Sequence, residues 1–118
     1  MSVRLLCGFA FAFVALLGGC VLSPVYEGRY RYSEGWREGR ILQVGTDLAK
    51  SPIVFDCRKE IGAGPPGQVY GEVSYQRAPR RRHRQIVPIP TVKVLEPGDF
   101  VYVKMWDCSA PVPKRVVR

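Results

Sequence analysis

Beyond residue 20, no stretch of this chain keeps apolar residues at the three- and four-residue spacing of an amphipathic helix. Apolar and polar residues instead alternate in short runs, and Gly and Pro cut those runs apart. Gln68–Gln76 is the clearest strand: Val69, Gly71, Val73 and Tyr75 take one parity, and Gln68, Tyr70, Glu72, Ser74 and Gln76 the other. Glu96-Pro97-Gly98-Asp99 is a type II turn signal, with Pro presetting φ and Gly supplying the positive φ that follows. It predicts a hairpin joining Thr91–Leu95 to Phe100–Trp106, with Val101, Val103 and Met105 on one face. Further strands are predicted around Tyr26, Tyr30 and Tyr32, over Trp36 and Arg40–Val44, and over Ile53–Cys57, where Ile53, Phe55 and Cys57 share a parity. Gln85–Leu95 also reads as extended, but Pro88 and Pro90 lack amide donors and confine it to an edge or a strand start. Thr46–Lys50 has room for one helical turn, capped by Thr46 or Asp47. The expected fold is all-β, a small antiparallel sandwich or partly open barrel of five to six short strands.

The first nineteen residues follow a different logic. Arg4 is their only charged residue, and a thirteen-residue apolar run, Leu5–Leu17, leads into Gly18 and Gly19. A basic start, a short apolar core and a small-residue exit make a secretory signal segment, expected to be helical. The run is short of the roughly 20 residues a membrane-spanning helix needs.

Leu17-Gly18-Gly19-Cys20 resembles the lipobox of bacterial lipoproteins, and the resemblance covers residues 1–20 alone. It implies a diacylglyceryl group on the Cys20 thiol, cleavage between Gly19 and Cys20, and an acyl chain such as palmitate on the new amino group. Two or more chains hold a protein stably in a bilayer where one is marginal. In the enterobacterial lipoproteins that the motif resembles, an Asp after the Cys retains the protein in the inner membrane. Val21 stands there, so the implied location is the outer membrane, facing the periplasm. The expected division is a leader (1–19), a lipidated tether with a candidate first strand (20–35), a β domain (36–110) and a mobile basic tail (111–118).

Of four cysteines, Cys7 lies in the leader and Cys20 is assigned to the lipid. Cys57 and Cys108 remain, and an even remainder in an exported domain suggests a disulfide, with two buried free thiols as the alternative. Two separated Cys and one distant His do not form a metal site, and no cofactor is expected beyond the lipid.

The net charge is +8, and +7 once Arg4 leaves with the leader. A basic exported surface favours lipid phosphate, lipopolysaccharide or an acidic envelope protein. The charge is densest in Arg77, Arg80, Arg81, Arg82 and Arg84, which flank His83. Guanidinium forks match phosphate oxygens, although a like-charge run is more often just a solvated hairpin tip. Nucleic acid is not expected as a partner of an exported chain, and Tyr70, Tyr75, Tyr102 and Trp106 read as core or cross-strand aromatics rather than base-stacking platforms. The same holds for Tyr26, Tyr30 and Tyr32, whose alternative role is a stacking face for glycan or peptide.

Nothing marks an active site. His83 lies in a charged loop, and Asp56, Glu60, Glu72, Glu96, Asp99 and Asp107 show no paired spacing and read as surface charges. The expected role is therefore non-enzymatic: binding or envelope structure, with the basic loop as contact. The alternatives are an inhibitor of an envelope-active enzyme such as lysozyme, and a small component of a secretion or conjugation machine.

Overall fold

The computed structural model describes residues 23–90 and 94–116. They fall into two units, one ending at Ser33 and one beginning at Glu34. In the first, β1 (Val25–Tyr26) pairs antiparallel with β2 (Tyr30–Arg31) across Glu27 and Gly28, which both have positive φ. Tyr26 and Tyr30 thus face each other across a hairpin instead of following one another along a single strand.

The second unit is a five-stranded sheet in the order β4-β6-β5-β3-β7. Its strands are β3 (Trp36–Gly45), β4 (Phe55–Asp56), β5 (Val69–Ala78), β6 (Arg81–Ile89) and β7 (Phe100–Lys104). All neighbours are antiparallel except β4 and β6. The fold is all-β, as the alternation predicts, and the sheet does not close into a barrel. β6 lies between β4 and β5, but β4 pairs only with Gln85 and Ile86, so at Pro88 the described residues pair β6 on the β5 side alone.

The parity read from Gln68–Gln76 places Val73 and Tyr75 in the main core, with Ile41, Val87, Ile89, Val101 and Val103. Gly39 sits on the same face between β5 and β7; a Cβ there would lie 2.7 Å from Val73 Cγ1, so only glycine lets these strands approach. The opposite face is covered at one end, where Leu48 and Val54 pack on Tyr70 and Ile86.

The sheet is strongly curled. Three interstrand steps of about 4.8 Å would separate β6 from β7 by about 14 Å in a flat sheet. Yet the buried Gln85 side chain of β6 donates to Lys104 C=O (3.1 Å) and accepts from Trp106 N–H (3.0 Å), at the end of β7. The Tyr75 hydroxyl donates to the same Gln85 oxygen over a longer 3.3 Å, and burial raises the Tyr75 pKa. Gln85→Leu is expected to cost about 2–3 kcal/mol, because it strands the Trp106 amide and the Lys104 carbonyl away from water. Urea unfolding should show a lower midpoint at unchanged slope; an unchanged midpoint would mean that the bridge contributes nothing.

Four local expectations are corrected. The turn at 96–99 forms, with Asp99 N–H donating to Glu96 C=O and positive φ at Gly98. It does not join a hairpin, however: residues 91–93 lie outside the described set, Val94 and Leu95 are not in a strand, and β7 pairs with β3. Ile53 does not share the buried face of Cys57; it is 78% exposed, while Val54 and Asp56 are buried. The strand stops after two residues because Asp56 caps a one-turn helix, α1 (Cys57–Ile61), by accepting from the Arg58 amide. That helix replaces the turn expected at Thr46–Lys50. Finally, residues 112–115 do not form a loose tail. Val112 is buried in the core, Lys114 bridges Val101, and Arg115 N–H donates to Phe100 C=O. The free edge of β7 recruits this segment because its own backbone groups need partners.

Candidate anion-binding face

The basic run is not one loop. β5 and β6 form a hairpin whose tip is Pro79 and Arg80, and Arg80 takes a positive φ of 64°. Side chains therefore alternate between the sheet's two faces. Arg80 and Arg81 are exposed at the tip. On the core side of the hairpin His83 stacks on Tyr75, their ring centroids 6.1 Å apart. Nearby, the Arg77 guanidinium covers the ring of Trp106 at 4.6 Å, and Trp106 is 49% exposed. Arg82 and Arg84 point to the opposite, outer face. Arg84 meets Glu72 at 3.1 Å, and Arg82 donates to the Ser74 hydroxyl at 2.9 Å.

On that outer face the register brings Arg40 beside Ser74 on one side and Phe100 on the other. Arg40 and Arg115 lie over the Phe100 ring at 5.6 and 5.5 Å. Phe100 remains 53% exposed and Leu42 is also exposed. Together with Arg82 and Ser74 they border an open groove of about 420 Å³. Among the described residues Glu38 is the one acid lining the groove, and it pairs with Arg115 at 3.3 Å. Among the described residues neither Arg40 nor Arg82 has a carboxylate within 4 Å.

Sequence pattern finds Arg77, Arg80, Arg81, Arg82 and Arg84 but misses Arg40 and Arg115. The alternation Glu38-Gly39-Arg40-Ile41 could have set Arg40 opposite the buried Ile41. No local signal places Arg115, which depends on the docking of the C-terminal segment. Two carboxylates expected at the surface are buried instead: Asp56 against Arg58, and Glu72 between Gln43 and Arg84. Asp107 stays near the surface, its pKa lowered by hydrogen bonds from the Ser109 hydroxyl and amide.

Cys57 and Cys108 are joined in a disulfide, with Cα atoms 5.6 Å apart. Gly19 and Cys20, the cleavage and lipid sites implied by the lipobox, lie outside the described residues. Among the described residues no three His, Cys, Asp or Glu cluster as metal ligands, and no helix is long and apolar enough to cross a membrane. Comparison of the chain with protein-family models, with curated proteins and with solved structures returns no match.

Proposed function

We propose that this chain is a lipid-anchored protein of the bacterial envelope, held through Cys20 and facing the periplasm at the outer membrane. Its β domain acts as a non-enzymatic binding module that touches anionic headgroups or an acidic envelope partner. The observation that carries this reading is the end of the β5–β6 hairpin. There, exposed Arg80 and Arg81 lie close in sequence to Arg77, whose guanidinium covers a half-exposed Trp106. Trp favours the boundary between headgroup and hydrocarbon, and arginines near an anionic surface each contribute about 1 kcal/mol. A tether at residue 20 supplies the proximity that makes such weak contacts count.

The test has two arms. Cells fed a fatty-acid probe should label the wild-type chain and leave Cys20→Ser unlabelled; a labelled Cys20→Ser chain removes the anchor from the reading. The unlipidated chain from Val21 onward should float with phosphatidylglycerol vesicles at low salt and release as salt rises. The Arg77→Ala/Arg80→Ala/Arg81→Ala variant should bind these vesicles about a hundredfold more weakly, from about 1 kcal/mol per charge. Binding indifferent to both salt and these substitutions overturns the contact.

A further inference from the structure

We infer that the groove on the outer face of the sheet is a second anion site, shaped for an organic phosphate monoester. It is separate from the hairpin end.

The first support is charge. Arg115 is balanced by Glu38, which leaves Arg40 and Arg82 as two cations without a carboxylate among the described residues. A phosphate monoester carries about −1.5 to −2 charges at neutral pH, which matches a doubly cationic site better than a carboxylate or a phosphodiester does. The second is geometry. Arg40 and Ser74 are cross-strand partners, and Arg82 donates to the Ser74 hydroxyl from the next strand, so three polar groups from β3, β5 and β6 meet on one face. Guanidinium forks bind phosphate oxygens in pairs, and the hydroxyl offers a further donor. The third is the apolar side of the groove. Phe100, flanked by Arg40 and Arg115, presents an exposed ring beside Leu42, a surface for the organic part of the ligand rather than for phosphate alone.

The groove sits on a rigid frame. β3, paired on both sides by β5 and β7, contributes Glu38 and Arg40, and β7 holds Phe100 between β3 and the docked C-terminal segment. Little reorganisation is then required on binding.

Phenyl phosphate is the probe, titrated into the full chain purified in nonionic detergent and followed by NMR or calorimetry. Saturable binding is expected at pH 7.5, at least tenfold tighter than that of phenyl sulfate, a monoanion of the same shape. It should weaken at pH 5, where the monoester loses its second charge. Arg40→Ala/Arg82→Ala should weaken phenyl phosphate at least tenfold. Phe100→Ala should keep inorganic phosphate binding while losing most of the preference for the phenyl ester. Arg80→Ala/Arg81→Ala should change nothing here, which separates this site from the vesicle contact. Displacement of the probe by phosphatidic acid in mixed micelles with the same detergent assigns a lipid-borne monoester, and displacement by glucose 1-phosphate alone a soluble one. Equal affinity for phenyl sulfate overturns the proposal, as does an Arg40→Ala/Arg82→Ala variant that is folded by circular dichroism and binds like wild type.

Discussion

Replacing Cys57 and Cys108 together by Ala should lower the thermal midpoint by roughly 15–30 °C, the consequence of losing about 4 kcal/mol in a domain of this size. The bridge spans 51 positions of sequence, so in the chain-entropy account it removes a large part of the freedom of the unfolded state. Its place in the sheet adds a second role. β4 and β7 are the two outer strands, Cys57 directly follows β4, and Cys108 lies just beyond β7. The disulfide therefore ties together two margins that no backbone ladder joins, near the Gln85 bridge that spans the same opening. Circular dichroism melts of the double variant and of the wild type in reductant should agree with each other. Amide exchange should show β4 and the Trp106 amide losing protection first. A double variant that melts within about 3 °C of wild type would mean that core packing alone holds the sheet curled.

Asp56→Asn should destabilise the domain by about 3 kcal/mol at pH 7, since removing one partner of a buried pair leaves the other charge uncompensated. The Asp56 side chain is fully buried and takes two hydrogen bonds from the Arg58 guanidinium at 2.9 and 2.7 Å, plus one from its amide. Arg58 also donates to Leu48 C=O at 2.7 Å, which pins the loop covering the outer face. These bonds outweigh desolvation and hold the Asp56 carboxyl below its ordinary value of 3.8. A carboxyl lowered in the folded state stabilises fully above its unfolded value, and the benefit drains away as pH falls through the lowered one. Wild type and variant should therefore differ by a constant amount from pH 7 down to about 5 and converge in stronger acid. Urea titrations at pH 7, 5 and 3 check this; a gap that stays constant to pH 3 would deny the ion pair its role.

Much of the fold was legible. The parity of Val69, Val73 and Tyr75 identified the core face of β5, because a strand with one face in the core must alternate. The turn at 96–99 was legible because Pro and Gly act within four residues. The pairing of Cys57 with Cys108 was favoured by elimination, and the close approach of their Cα atoms makes the bridge feasible. What failed was partner choice. A turn shows that the chain reverses but not which strand receives it, and β7 passed over Val94 and Leu95 for β3. Ile53 was misplaced because two-residue β4 gives way to a helix whose cap, Asp56, also had to satisfy Arg58. The groove was the least legible feature: Arg40, Ser74, Arg82, Phe100 and Arg115 come from four strands and a tail, and no window of sequence contains them together.

Taken alone, the sequence determined the class of structure, the Cys57–Cys108 pair as the one to bridge, and the basic character. These follow from composition, spacing and short-range backbone preference. Tertiary structure alone decided which strands became neighbours, how far the sheet curls around Gln85, that the C-terminal segment docks on β7, and which arginines gather around Phe100. The physical reason is that backbone pairing and side-chain alternation obey the same local rules for every partner. Only the collective burial of one core selects the register, and with it the side chains that share a face.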